Sequence, residues 1–170
     1  AVYNTVMHLK DRGYEIRIAN TLADGHIDVA DFVSKIDIDT QLACFMHVNN
    51  ETGAINDVKQ IGAIVKRINP RTITFCDGVQ AVGKIPVNIR ALGVDLYNFS
   101  GHKFHASKGT GGLFVKKGLN LSPLVHGGGQ EKGIRSGTEY VGGIITLSTA
   151  LEIAVSNIAN NTKKLLDILN

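Results

Sequence analysis

Residues 42–77 read LACFMHVNNETGAINDVKQIGAIVKRINPRTITFCD, and this stretch decides the fold. It begins with an uninterrupted apolar run, residues 42–48, whose length suits a strand covered on both faces. Apolar residues then recur at helical spacing over 57–69, and the β-branched and aromatic run 72–76 indicates a second strand. A strand, a helix and a strand in this order predict two parallel strands joined by a crossover helix.

The same alternation continues on both sides of this stretch. Helices are predicted over 1–12, 28–36 and most of 139–170, and strands over 14–20, 95–99 and 112–115. The prediction is therefore an α/β fold, a three-layer sandwich with a mostly parallel sheet and helices on both faces. Apolar residues proposed for the core in the C-terminal helical segment are Ile144, Leu147, Leu151, Ile153, Ile158, Leu165, Leu166 and Leu169.

Composition limits the class of protein. Hydrophobic residues make up 44% and charged residues 19%, and no apolar run approaches the length of a membrane span. The net charge of +3 comes from dispersed basic residues rather than from a basic stripe, which argues against a nucleic-acid partner. The two cysteines form no disulfide framework. We therefore expect a cytoplasmic protein without nucleic-acid or membrane partners.

Three predicted strands are followed directly by polar residues. The polar groups are His47–Glu51, Asp77–Gln80 and Ser100–Lys103. In parallel sheets, ligands bind beyond the carboxyl ends of the strands. An acidic residue there can pair with a cationic ring nitrogen, a lysine can attack a carbonyl carbon, and serine and histidine can donate to a phosphate. Pyridoxal 5'-phosphate combines all three features, so it is the predicted cofactor.

Four motifs carry a resemblance to a known family. In chain order they are MHVNNETG, CDGVQAVGK, NFSGHK and HGGGQEKGIRSGTE. Together they resemble the cysteine desulfurases, in the class V aminotransferase branch of pyridoxal-phosphate enzymes, over residues 1–160. The resemblance implies the large domain of fold type I aminotransferases. Residues 1–170 would form part of that cofactor-binding domain, with 139–170 leading toward a C-terminal domain.

The resemblance also assigns roles at the cofactor ring. Lys103 would be the catalytic residue, forming the Schiff base with the cofactor and shuttling protons. Asp77 would pair with the pyridinium nitrogen. Gln80 would donate to the ring hydroxyl oxygen, and Asn50 would lie near that hydroxyl and the substrate carboxylate.

Phosphate binding is implied for three further residues. Ser100 and His102 would bind the phosphate of the same subunit's cofactor. Thr138, in RSGTE, would reach the phosphate of the partner subunit's cofactor, which implies a homodimer.

The implied reaction removes sulfur from L-cysteine, giving L-alanine and an enzyme persulfide that supplies iron–sulfur cluster assembly through a scaffold protein. In this family the persulfide cysteine falls beyond residue 170. Both ends of the chain also interrupt apolar-periodic segments, so we expect an inactive piece of a longer protein. Cys44, in an apolar run, and Cys76, before Asp77 in a strand, are expected to be structural.

Other readings stay open at this point. The parent could be a related class V enzyme such as a selenocysteine lyase, or the chain a non-catalytic phosphate-binding or dimerisation piece. The pairs Cys44-x-x-His47 and His102-x-x-His105 resemble zinc ligands but lack further cysteine pairs, so no metal is predicted. The segment GTGGLF at 109–114 does not match the dinucleotide-binding glycine pattern.

Overall fold

The structure is a computed structural model that describes residues 2–169, with side chains through residue 168. Six α-helices and four strands follow one another in this part of the chain. They are α1 Val2–Asp11, α2 Val29–Ser34, β1 Leu42–Met46, α3 Val58–Ile68, β2 Ile73–Asp77, α4 Ile89–Leu92, β3 Leu96–Ser100, β4 Gly111–Val115, α5 Val141–Ser156 and α6 Ile158–Leu169. Short 3₁₀ helices occupy Gly101–Phe104 and Glu131–Gly133.

The four strands form one sheet in the order β1-β2-β3-β4. β1 and β2 are parallel, with Leu42 opposite Ile73 and Met46 opposite Asp77. The His47 N–H donates to the Asp77 carbonyl at 2.9 Å, so the pairing continues one residue past β1. The α/β class and the mostly parallel sheet predicted from the sequence are confirmed.

The chain divides into two compact units. Unit 1 comprises Ala1–Gln80 and Asn88–Tyr97, and unit 2 comprises Ala81–Val87 and Asn98–Asn170. In unit 1, α3 begins where the Asp57 carboxylate accepts the Gln60 N–H at 2.9 Å. Its apolar face is buried through Val58, Ile61 and Val65, as the helical spacing predicts.

In unit 2, a close approach fixes the 3₁₀ helix that follows β3. A Cβ on Gly101 would lie 2.5 Å from Thr110 Oγ1 and 2.6 Å from Leu147 Cδ1, a residue of α5. Gly101 is buried, and a side chain there would displace Thr110 or Leu147. The backbone after β3 is therefore held tightly against α5.

Residues 14–20 do not form the predicted strand. Their backbone is irregular, and the next residue, Thr21, makes only an isolated bridge with Ile27. The polar groups bond elsewhere: Arg17 donates to the carbonyl of Lys35 at 3.0 Å, and the Asn20 N–H to the Asp31 carboxylate at 2.7 Å. Apolar and polar residues alternate over 14–20, but the polar groups make these hydrogen bonds instead of pairing with a neighbouring strand.

The helices of the C-terminal segment are α5 and α6, and several proposed core residues in them are exposed rather than buried. Ile144 is 46% exposed, and the exposed residues Ile153, Leu165 and Leu166 are more open still. The Leu169 side chain lies outside the described residues. No single helix in the described range has the length and apolarity of a membrane span; α5 and α6 reach them only as a pair bent by 58°.

Candidate active site

Asp77 ends β2 and is buried, with 8% of the residue exposed to solvent. Its carboxylate Oδ1 accepts the Val79 N–H at 3.0 Å, which closes a turn directly after the strand. Its carbonyl oxygen accepts the His47 N–H. A buried carboxylate held by a backbone donor is a suitable partner for a cationic group, because opposite charges stabilise each other more strongly away from water.

Next to this turn lies a buried pair, His47 and Tyr97. His47 Nδ1 and the Tyr97 hydroxyl are 2.8 Å apart, and the two rings meet edge to face. Burial lowers the pKa of His47 below its ordinary value. Burial, with smaller contributions from Cys76 and Asp77, raises the pKa of Tyr97. Both side chains are therefore neutral at neutral pH.

The sequence interpretation left the role of His47 open and did not single out Tyr97. One signal was available for Tyr97. A tyrosine inside an otherwise apolar strand needs a partner for its hydroxyl when it is buried. The partner could not be identified from the sequence, because His47 lies fifty positions away.

Asn50 and Gln80 also belong to unit 1. The loop after β1 is built on Asn49, whose side-chain oxygen accepts the N–H groups of Glu51 and Thr52 at 2.8 and 3.1 Å. This turn leaves Asn50 exposed, with its amide donating to Glu51 at 2.5 Å. Gln80 is half-buried, three residues after Asp77.

In unit 2, Ser100, His102 and Lys103 lie at the end of β3 and in the 3₁₀ helix. Ser100 Oγ and His102 Nδ1 are joined by a 2.8 Å hydrogen bond. His102 and Lys103 are exposed. Loss of solvent around its amine, together with the charge of Lys103, lowers the pKa of Lys84. This corner of unit 2 thus gathers a hydroxyl, an imidazole and two amines, a set suited to an anionic group.

Thr138 lies in the glycine-rich segment before α5 and is exposed. The segment is held by its own side chains: Gln130 Oε1 accepts the Gly137 N–H at 2.9 Å, and Ser136 Oγ accepts the Gly129 N–H at 3.3 Å. Ser136 is buried. The chain before Thr138 is therefore ordered while Thr138 itself faces solvent.

The two thiols are poor nucleophiles where they lie. Burial raises the pKa of Cys44 to about 11. Cys76 is fully buried, and burial followed by the charge of Asp77 raises its pKa as well. Thiolate is the reactive form of cysteine, so neither position favours sulfur chemistry. Within residues 2–169, no three metal-binding side chains form a cluster.

The donor set present in the chain fits pyridoxal phosphate. Unit 1 offers a buried carboxylate at Asp77, and unit 2 offers hydroxyl and imidazole groups at Ser100 and His102 beside the Lys103 amine. These are the groups that a ring nitrogen, a phosphate and an aldehyde require.

Comparison with known proteins agrees with this chemistry. The sequence model of the family described as Aminotransferase class-V matches residues 1–169. Cysteine desulfurase 2 of Trichormus variabilis is 40% identical over 154 residues, which are 91% of this chain and 38% of that protein. Cysteine desulfurase IscS of Dictyoglomus turgidum is 39% identical over 168 residues, or 99% of this chain and 42% of that protein.

Solved structures give the same result. A NifS-like protein superposes with a TM-score of 0.92 at 40% identity, covering 95% of this chain and 44% of that one. DndA from Streptomyces lividans superposes with a TM-score of 0.85 at 32% identity, covering 94% of this chain and 46% of that one. The chain thus spans about 40% of the length of the curated relatives it matches. The resemblance inferred from the four motifs is confirmed, and the chain belongs to the class V aminotransferase family.

Proposed function

We propose that this chain is the cofactor-binding core of a cysteine desulfurase that uses pyridoxal 5'-phosphate. The larger protein would convert L-cysteine to L-alanine and an enzyme persulfide destined for iron–sulfur cluster assembly. One observation carries the proposal: Ser100, His102 and Lys103 form a single compact turn after β3, in a chain whose relatives are named cysteine desulfurases.

Asp77 would hold the cofactor ring. Its buried carboxylate accepts the Val79 N–H, which fixes the orientation in which it would meet a protonated ring nitrogen. Gln80 would donate to the ring hydroxyl oxygen, and Asn50 would contact that oxygen and the substrate carboxylate. When bound, the cofactor supplies an electron sink for the charge left at the substrate α-carbon.

Lys103 would be the attachment residue and the proton carrier. Its Nζ would take the α-proton of the substrate and return a proton to the product. The neighbouring Lys84 adds positive charge at this corner, which favours an anionic group nearby. Ser100 Oγ and the His102 ring, already hydrogen-bonded together, would bind the phosphate oxygens.

The assembly and partners belong to the same proposal. Thr138 would reach the phosphate of a partner subunit's cofactor in a homodimer, and its exposure supports a contact outside its own subunit. The sulfur acceptor would be a scaffold protein, and the enzyme would work in the cytoplasm. Residues 1–170 would be part of the large cofactor-binding domain, and the persulfide cysteine would lie beyond them.

The chain itself can be tested by covalent labelling. Pyridoxal phosphate is added, the complex is reduced with borohydride, and the labelled peptide is mapped by mass spectrometry. We expect the label on Lys103 and its loss in Lys103→Arg. Lys84→Arg is the matched control and should keep the label. A label on another lysine with none on Lys103 would contradict the assignment.

The larger protein can be tested by product analysis. We expect equal amounts of alanine and sulfide from L-cysteine in the presence of a thiol reductant. Alanine formed from selenocysteine but not from cysteine would show that the larger protein is a selenocysteine lyase instead.

A further inference from the structure

We propose that His47 and Tyr97 are positioning residues that hold the turn carrying Asp77 in place. The inference rests on the proposed function for the role of Asp77 toward a cofactor. The contacts that hold the turn all lie within unit 1.

The first contact is between Tyr97 and Gly78, the residue directly after Asp77. A Cβ on Gly78 would lie 2.0, 2.1 and 2.3 Å from Cε1, Cζ and the hydroxyl oxygen of Tyr97. Tyr97 is fully buried, and Gly78 is buried too. The tyrosine ring therefore lies directly on the backbone of the turn, and Gly78 leaves the space that the ring occupies.

The second contact fixes the ring. His47 Nδ1 bonds the Tyr97 hydroxyl at 2.8 Å, and the ring centroids are 6.0 Å apart at 82°. The backbone N–H of His47 donates to the Asp77 carbonyl at 2.9 Å. His47 is thus hydrogen-bonded to Asp77 through its backbone and to Tyr97 through its side chain.

These contacts close a circuit around Asp77. It runs from the Asp77 carbonyl to His47, from His47 to Tyr97, and from the Tyr97 ring back to Gly78. Inside the circuit, the Val79 N–H donates to Asp77 Oδ1. A shift of the Tyr97 ring would free Gly78 and loosen the bond that orients the carboxylate.

The circuit acts by shape and not by charge. His47 is neutral because burial lowers its pKa, and Tyr97 is neutral because burial raises its pKa. Cys76 and Asp77 are titratable groups close enough to act on Tyr97, and both contribute less than burial does. A neutral substitute for His47 that keeps the hydrogen bond should therefore keep the effect.

The first test measures amide hydrogen exchange at Val79 in the cofactor-free chain. Tyr97→Phe removes the hydroxyl only, and His47→Leu removes the ring nitrogens. Both should raise exchange at Val79 by roughly three- to tenfold, the factor for one hydrogen bond. His47→Asn can place an amide near Nδ1 and should stay close to wild type. Asp77→Ala, which removes the acceptor, gives the full effect for comparison.

Two controls separate positioning from general loss of stability. Tyr14→Phe makes the same chemical change at an exposed tyrosine of unit 1 and should leave Val79 unchanged. Val65→Ala removes part of a buried side chain of α3 and so lowers the stability of the chain as a whole. It should raise exchange along β2 as much as at Val79. The proposal is overturned if Tyr97→Phe leaves Val79 at the wild-type rate, or changes it only in step with β2.

A second test reads the ring directly. Pyridoxal phosphate with ¹⁵N in the ring is bound to the chain, and the protonated fraction of that nitrogen is followed by NMR. Asp77→Asn should lower the fraction most, with Tyr97→Phe and His47→Leu in between and His47→Asn near wild type. No effect of Asp77→Asn would reject the proposed function. An effect of Asp77→Asn with none of Tyr97→Phe would reject the positioning role alone.

Discussion

Burial sets the chemistry of single side chains in this protein, and the two thiols illustrate it. Cys44 is partly buried and Cys76 fully buried, so the surroundings of both disfavour a thiolate. A sulfur acceptor needs the opposite, a thiol whose pKa is lowered and which solvent can reach. The expectation that both cysteines are structural agrees with where they lie.

Thiol reactivity follows from this. Because the pKa of Cys44 is raised to about 11, its thiolate fraction near pH 7 is roughly a hundredfold below that of an ordinary cysteine. We expect iodoacetamide to modify Cys44 and Cys76 slowly in the folded chain. In guanidinium at about 6 M, which unfolds most domains, modification should be rapid. Equal rates in the two conditions, measured by mass spectrometry, would show that the thiols are open.

His47 predicts how stability depends on pH. Its pKa is lowered in the folded chain, whereas in the unfolded chain it is about 6.5. Below that value the unfolded state binds the additional proton, so the free energy of unfolding falls as the pH falls. Urea unfolding followed by circular dichroism should show a loss between pH 7 and pH 5. His47→Asn should reduce that loss, whereas the exposed control His8→Asn should keep it.

At the scale of elements, helix α3 joins local signals to packing. Its apolar spacing predicted the buried face, and Asp57 and Asn69 bound it as the N-cap and C-cap. The Asp57 carboxylate accepts the Gln60 N–H, one of the donors that a helix start leaves without an intrahelical partner. Both the position of α3 and its ends could therefore be read from the sequence.

Removing this cap should have a measurable cost. We expect Asp57→Ala to lower the free energy of unfolding by about 1 kcal/mol, and Asp57→Ser to lower it much less because serine also caps. Urea unfolding of the three proteins at one pH decides the matter. An Asp57→Ser variant as weak as Asp57→Ala would mean that the cap is not the cause.

A buried acidic residue joins β2, the start of β3 and α3. Asp95, just before β3, is 5% exposed. Its carboxylate accepts from Thr74 N–H at 3.0 Å and Thr74 Oγ1 at 3.1 Å, and Lys66 Nζ lies 2.5 Å away. Asp95→Ala leaves the buried Thr74 donors without this acceptor and removes the ion pair with Lys66, which should cost roughly 3 kcal/mol.

Thr74→Val provides the comparison for Asp95→Ala. It removes one donor to the Asp95 carboxylate and the acceptor of the Asp95 N–H, but keeps the ion pair with Lys66, so we expect about 2 kcal/mol. Both values come from urea unfolding at neutral pH. If Asp95→Ala cost no more than Thr74→Val, the carboxylate would not be the centre of the network.

For the whole molecule, the sequence predicted the sheet better than the surface. The runs 42–48 and 72–76 lie within a residue or two of β1 and β2, because apolar, β-branched and aromatic residues concentrate in strands. The strand predicted over 14–20 was wrong, because alternation of apolar and polar residues does not reveal whether a neighbouring strand is available for pairing. The prediction that the apolar residues of α5 and α6 belong to the core was wrong for several of them, for a related reason. Periodicity identifies the apolar face of a helix but not what covers that face.

The candidate site shows the same division. The motifs identified Asp77, Ser100, His102 and Lys103, because polar residues directly after apolar strands are visible along the chain. The roles proposed for them stay predictions until cofactor is bound. The sequence did not reveal the support beneath Asp77, because the contact of Tyr97 with Gly78 depends on the distance between two strands. Local patterns locate reactive groups, whereas packing determines what orients them.

The 170-residue chain should not turn over L-cysteine by itself. Its only cysteines are Cys44 and Cys76, and the pKa of each thiol is raised by burial. With pyridoxal phosphate and L-cysteine, we therefore expect alanine no faster than from free cofactor and no persulfide on either thiol. Amino-acid analysis and mass spectrometry of the intact chain measure both. Persulfide on Cys44 during cysteine consumption would show that this thiol becomes accessible in solution and accepts sulfur, contrary to its burial here.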